Sequence, residues 1–217
     1  MAQEKGIKVH YGMVIDLLRC IGCGACTIAC KQENKTPPGL NYHTVLEEEL
    51  GTYPNVKRQL FPRPCQHCEH PACMEVCPVN AIYKRADGIV VIDYGKCIGS
   101  KNCIDACPYE VPKFDDGENY RTVPGQYDAI AAFEFYGKYG LRKKGQTPIG
   151  KTRKCHFCLH RIEKGLEPAC VVTCMGRARS FGDFNNPNSK VSQLLKTRKA
   201  IRLKEELETE PSVYYLV

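Results

Sequence analysis

The sequence predicts an α+β fold of two small modules, one inserted in the other, built around metal centres instead of a large apolar core. Three observations carry this. Fifteen of the 217 residues are cysteine, and they fall into four tight groups. The first group, CIGCGACTIAC at 20–30, has the C-x2-C-x2-C-x3-C spacing that wraps an iron–sulfur cube. Between the second and third groups stands AIYKRADGIVVID (81–93), a strand, an Asp87-Gly88 turn and a second strand.

Group one supplies Cys20, Cys23, Cys26 and Cys30, with Gly22 and Gly24 giving the backbone freedom to bend round a cluster. Group two, CQHCEHPACMEVCP, supplies Cys65, Cys68, Cys73 and Cys77 and ends on Pro78. Group three, CIGSKNCIDACP, supplies Cys97, Cys103 and Cys107 before Pro108. A proline after the last cysteine turns the chain away and leaves no N–H to satisfy. Aligned on CIGC at 20–23, CIGS puts Ser100 where a cysteine is expected. Group four, KCHFCLHRIEKGLEPACVVTC, supplies Cys155, Cys158, Cys170 and Cys174.

Composition excludes the ordinary alternatives. A secreted disulfide framework fits neither the odd cysteine number nor the polar N-terminus MAQEKGIKVHYG, which lacks an apolar signal segment. Structural zinc needs four ligands and has no use for the crowding of group one. No apolar run nears the roughly 18 residues that span a bilayer, so a soluble or peripheral chain is expected. The net charge of +7 counts cysteine as neutral. Three 4Fe-4S clusters and one 3Fe-4S cluster with their thiolates would add about −8, leaving about −1, so the basic excess is not read as a nucleic-acid signal.

Along the chain, a strand is expected at 11–20 and a short helix from Thr27 carrying Cys30. A turn-rich connector is expected at 36–43. Segment 44–61 reads as a solvated face with one strand near VKRQLF. Segment 115–153 is either a surface loop or a partner-contact arm, with a helical stretch at 129–136. After group four come a strand, a turn near Asn186-Pro187, and a helix started by Asn188 or Ser189. Residues 196–210 read as a solvated helix with Arg202–Glu206 and Lys204–Glu208 at i,i+4. PSVYYLV docks on this chain or on a partner.

In two-cluster ferredoxins each cluster takes three cysteines from one loop and the last from the other. Groups two and three pair through their hairpin, which leaves groups one and four to pair across the chain. Two ferredoxin-like modules of the bacterial two-cluster type follow. One is discontinuous (1–55 and 150–190) and the other is inserted in it (56–114). An extension loop (115–149) and a C-terminal helix and tail (191–217) complete the chain. The expected ligand sets are Cys20, Cys23, Cys26 and Cys174 (set one) and Cys30, Cys155, Cys158 and Cys170 (set two). Set three is Cys65, Cys68, Cys73 and Cys107. Set four is Cys77, Cys97 and Cys103 with Ser100 in the fourth place. A hydroxyl is a poor iron ligand beside thiolates, so set four is expected to hold a 3Fe-4S cluster, the alternative being a fourth 4Fe-4S cube with serine, water or another ligand. Of the six histidines, those next to the cysteines are expected to donate hydrogen bonds to cluster sulfur. No nucleophile with its base, phosphate loop or dinucleotide fingerprint is present. The residues point to electron storage and transfer, not to a catalytic site.

MVIDLLRCIGCGACTIACK, PCQHCEHPACMEVCP, GKCIGSKNCIDACPYEVPKF and KCHFCLHRIEKGLEPACVVTC with FGDFNNPNS together resemble the iron–sulfur (electron-transfer) subunits of the dimethyl-sulfoxide-reductase family of molybdopterin oxidoreductases. The resemblance covers over half the chain in matching order, and it implies the same pairing of loops. It implies a molybdopterin-containing catalytic subunit (Mo or W) as partner, with set one facing it, and a membrane-anchor subunit or soluble carrier at the other end. It also implies a cytoplasmic place or one peripheral to the inner membrane, and a periplasmic one if a signal-bearing partner carries the chain out. A free polyferredoxin shuttle is the rival reading. The chain departs from the pattern at Ser100, and at Lys31 and Met175, which stand where proline would follow Cys30 and Cys174.

Overall fold

The computed structural model describes residues 8–37, 39–117, 131–132, 139–141 and 148–217. Strand β1 (Tyr11–Asp16) leads through a 3-10 turn to helix α1 (Ala25–Asn34). Strands β2 (Thr44–Thr52) and β3 (Asn55–Arg63) follow, then the single-turn helix α2 (Ala72–Glu75). Strands β4 (Ile82–Lys84) and β5 (Val90–Ile92), helix α3 (Asn102–Asp105) and strand β6 (Lys113–Asp115) come next. Strands β7 (Ala131–Ala132) and β8 (Tyr139–Leu141) pair with each other, and β9 (Lys151–Arg153) returns to β6. Helices α4 (Leu159–Ile162) and α5 (Ala169–Val172), strand β10 (Arg179–Asp183), helix α6 (Lys190–Thr197) and strands β11 (Ala200–Ile201) and β12 (Val213–Leu216) complete it.

The largest sheet joins both ends of the chain in the order β10-β1-β12-β11. Strand β1 runs antiparallel to β10 and parallel to β12. As an inner strand it is covered on both faces, and Met13, Val14 and Ile15 are all buried. Side chains alternate along a strand. Met13 and Ile15 therefore enter the main core, while Val14 meets Val191 and Leu216 beneath α6.

The 81–93 stretch forms the expected hairpin, with Ile82 opposite Ile92. Its continuous apolar run is explained by burial on two sides. Ile89 and Val91 pack into the main core beside Cys26, Cys30, Cys155 and Cys170, whereas Val90 and Ile92 pack into a second core with Cys97 and Cys103. One strand thus serves both cores, and thiols sit inside each.

Three local expectations are corrected. Segment 44–61 is a two-stranded ribbon from Thr44–Arg63 to Thr52–Asn55, not one strand beside a solvated face. Its base is held by Val45 and Phe61 on the main core, and its outer half carries the exposed Glu47–Arg58 pair. The helix expected through 196–210 stops at Thr197, and a strand and a 3-10 turn replace it. Lys204 and Glu208 both take left-handed backbone there (φ 52° and 53°) and so cannot lie in one helix. Of the helical stretch expected at 129–136, only Ala131–Ala132 are described, and they are extended; the rest lies outside the described residues. PSVYYLV docks on this chain, as β12, with Val213, Tyr215 and Leu216 fully buried.

Ser189 caps α6 as expected, its Oγ accepting from Ser192 N at 3.2 Å and donating to the Asp183 carbonyl at 2.7 Å. Ser189→Ala is expected to cost about 1 kcal/mol, roughly 2–4 °C in thermal midpoint for a chain of this size, read by circular dichroism.

Candidate metal centres

The first loop can turn tightly because Gly22 and Gly24 adopt φ of 68° and 69°, a region open to glycine. Helix α1 then starts at Ala25 and carries Cys26 and Cys30 one turn apart. Across from it, the turn after α5 closes over the same space. A Cβ on Gly176 would lie 2.3 Å from the Arg19 carbonyl oxygen, so only glycine permits this approach. The result is a cavity lined by Cys20, Cys23, Cys26 and Cys174 together with Arg179.

A second cavity is lined by Cys77, Cys97, Cys103, Ser100 and Thr152. The remaining eight cysteines are linked electrostatically to thiols of the expected sets and across them. Cys30 lies in the field of Cys155, Cys158 and Cys170. Cys73 lies in the field of Cys65, Cys68 and Cys107. The groups adjoin one another, because helices α1 and α5, which bear Cys26 and Cys170, pack together, and Cys65 packs against the core that holds Cys155. Helices α2 and α3, bearing Cys73 and Cys103, pack together.

The surroundings suit a sulfur-bound inorganic group. Backbone N–H groups of Ala81 and Ala178 each donate to a cysteine Sγ at 3.2 Å, on Cys77 and Cys174 respectively. Burial holds the Cys77 thiol up, but the N–H groups of Ala81, Val79, Ile82 and Asn80 outweigh it and bring the thiol below its usual range. Elsewhere burial, reinforced by neighbouring thiols, pushes Cys68, Cys73 and Cys158 up to about 12, and Cys30 and Cys155 well above the ordinary range. Thiols so placed give up their protons only to a strong cation, as metal binding provides.

Two histidines make the same point. His67 Nδ1 accepts from Val90 N at 3.1 Å and His156 Nδ1 accepts from Leu159 N at 3.0 Å. Each ring therefore carries its hydrogen on Nε2. Both Nε2 atoms are buried without a partner among the described residues. A buried donor left unmade costs about 1–3 kcal/mol, so an acceptor belongs there, and cluster sulfur is one. His160 instead meets Glu33 at 2.7 Å, His70 is exposed beside Glu210, and His10 meets Ser212.

Four residues that spacing does not flag also approach the thiols. Asn34 Nδ2 lies 3.4 Å from Cys30 Sγ and 3.8 Å from Cys158 Sγ. Lys154 Nζ lies 3.5 Å from Cys65 Sγ, and Arg179 Nη1 lies 3.9 Å from Cys170 Sγ. The Thr152 side chain faces the Cys103 thiol. Only Asn34, one turn beyond Cys30 on α1, had a readable signal.

Comparison with known proteins agrees with this picture. Residues 56–123 and 141–184 match the family model of a 4Fe-4S dicluster domain, and residues 11–32 match a 4Fe-4S binding domain. The chain is 52% identical to a selenate reductase subunit of Mesobacillus selenatarsenatis, over 96% of this chain and 72% of the relative. It is 39% identical to the arsenate respiratory reductase iron–sulfur subunit of Shewanella sp., over 96% of both. It is 41% identical to a tetrathionate reductase subunit of Salmonella typhimurium, over 98% of this chain and 74% of the relative. Among the described residues no helix is long and apolar enough to cross a membrane. Thiol-lined cavities, 4Fe-4S domains and likeness to reductase subunits along almost the whole chain lead to one conclusion: the chain belongs to the iron–sulfur, electron-transfer subunits of the dimethyl-sulfoxide-reductase family of molybdopterin oxidoreductases, which are not themselves catalytic.

Proposed function

We propose that this subunit wires a molybdopterin catalytic subunit, carrying Mo or W, to a quinone-side membrane subunit or a soluble carrier through four iron–sulfur clusters. Set one (Cys20, Cys23, Cys26, Cys174), set two (Cys30, Cys155, Cys158, Cys170) and set three (Cys65, Cys68, Cys73, Cys107) would each hold a 4Fe-4S cluster. Set four (Cys77, Cys97, Cys103) would hold a 3Fe-4S cluster. When bound, each cluster stores and releases one electron.

The observation that carries this reading is the contiguity of the thiol groups. The helices that bear Cys26 and Cys170 pack together and Cys65 packs against the core that holds Cys155, which favours a single file from set one through set two to set three. Set one, at the head of this file, reaches the surface, and so does set four, which the file does not include. Cys23 is exposed, as are Leu18, Ile21 and Ile28 in the same stretch and Met175 next to Cys174, and Ser100 and Ile98 are exposed in the third loop. Exposed apolar side chains in the stretches that carry set one suit a protein partner. We assign that face to the catalytic subunit, by likeness to the family. The nested arrangement is supported by the sheet that unites β1 with β10 and β12 while β4 and β5 pair apart.

Anaerobically purified chain is expected to contain about 15 iron and 16 sulfide per molecule. Colourless protein, or zinc without acid-labile sulfide, would end the reading. In native purification the chain is expected to run with a large molybdenum- or tungsten-containing subunit. A loaded monomer from cells that make both subunits would favour a free shuttle instead.

A further inference from the structure

We infer that Arg179 and Lys154 are the charge-compensating residues of this conduit, each fixing a buried positive charge at the seam between two neighbouring cysteine sets and raising the reduction potentials on both sides. The inference rests on the ligand sets proposed above.

Arg179 stands on β10 opposite Ile15, so strand register fixes its height. It is 3% exposed. Its Nη1 lies 3.4 Å from Met13 Sδ and 3.9 Å from Cys170 Sγ of set two, and its Nη2 lies 3.3 Å from His43 Nδ1. The same side chain lines the cavity of set one. It therefore touches two sets at once.

Lys154 is 2% exposed and precedes Cys155. Its three ammonium hydrogens meet three acceptors: Cys65 Sγ of set three at 3.5 Å, the Cys155 carbonyl of set two at 3.2 Å, and the Val90 carbonyl. It also acts on Cys68, Cys73 and Cys107, so the whole of set three lies within its field.

Neither cation is paired with a carboxylate of the described residues. Arg153, equally buried, has Asp115. Buried cations are almost always paired, because an unpaired one forfeits its hydration. Among the described residues the compensating charge beside both cations is thiolate sulfur with its cluster. A cation beside a cluster favours the reduced, more negative state. Set two, touched by both residues, would feel the effect twice. At set four the half-buried Lys151 sends its Nζ to the Cys97 carbonyl, not to a sulfur.

The test is a potentiometric titration, followed by electron paramagnetic resonance, of the chain in its native complex. Arg179→Gln is expected to lower two of the four midpoints, and Lys154→Gln two, with one centre common to both. Reduction at each affected centre should become about tenfold less favourable, a shift of about 59 mV for one electron. Arg179→Lys and Lys154→Arg, which keep the charge, should stay near the wild type. The three-iron signal of set four should not move in any variant. Full iron and sulfide with unmoved midpoints would overturn the inference, as would an equal shift of all four centres. Loss of clusters from folded neutral variants would also overturn it, by assigning these residues to cluster assembly. If Arg179→Gln does not fold, Lys154→Gln carries the same pattern alone. Wild-type protein without iron would sink the ligand sets themselves, whereas four intact centres indifferent to both substitutions would sink only this proposal.

Discussion

Replacing Ser100 by cysteine is expected to convert a three-iron centre into a cube. In the oxidised wild type, electron paramagnetic resonance should show one 3Fe-4S signal per chain. In Ser100→Cys that signal should vanish, and a fourth 4Fe-4S signal should appear on reduction. The argument is geometric before it is chemical. Residues 97–103 repeat the backbone of residues 20–26, with φ of 75° at Gly99 and 68° at Lys101 against 68° at Gly22 and 69° at Gly24. A cysteine at 100 would therefore stand where Cys23 stands in its own loop. Ser100 already lines the cavity with Cys77, Cys97 and Cys103, so no rearrangement is needed to bring a thiolate in. A hydroxyl stays protonated near neutral pH and competes poorly for iron among soft thiolates. Adding the fourth iron should also lower the midpoint of this centre. Four cubes in the reduced wild type, with no three-iron signal on oxidation, would refute the argument.

What could be read from the sequence divides along physical lines. Cysteine loops are local, and their ligand geometry forces a spacing, so all four groups stand out. The hairpin over 82–92 is also local, with Gly88 at φ 86° supplying the turn that Asp87-Gly88 announced. Strand β12 was not legible as a strand, because its neighbours β1 and β11 lie far off and just before it, and only the assembled sheet gives VYYL a place. The same need to reverse the chain explains why 198–210 is not a helix. Its charges at i,i+4 favour one, yet Arg202 N turns to Glu205 Oε1 at 3.0 Å as the chain bends back. In the ribbon, Tyr53-Pro54 joins the strands without the Asn-Gly or Asp-Gly signal that favours a two-residue turn, so the pairing stayed hidden. Arg179 and Lys154 look like any other basic residues in a chain with 31 of them. Their burial depends on sheet register and on which loop closes beside them, and neither is written in the spacing.

The largest loss of stability should follow from Asp115→Ala. Asp115 Oδ2 accepts from Arg153 Nη1 at 2.5 Å, and the two side chains are 1% and 0% exposed. Arg153 Nε also donates to Tyr42 Oη at 2.8 Å, and Asp115 Oδ1 accepts from Gly117 N at 3.2 Å. The pair ties β6 to β9, where the chain leaving set four meets the chain approaching set two. Removing the carboxylate would take a buried charge partner from a guanidinium that cannot lose its proton. Breaking a buried pair from one side costs about 3–5 kcal/mol, which for a chain of this size lowers the thermal midpoint by roughly 10 °C. Asp115→Asn keeps an acceptor but not the charge, and should fall between. The informative variant is the double one. Asp115→Ala with Arg153→Met removes both charges, so most of the loss should be recovered if the cost lies in breaking the ion pair from one side. If the double variant is as unstable as the single one, the carboxylate matters for its turn at Gly117 and not for the ion pair. An unchanged midpoint in Asp115→Ala would mean that this seam does not hold the two thiol-bearing regions together.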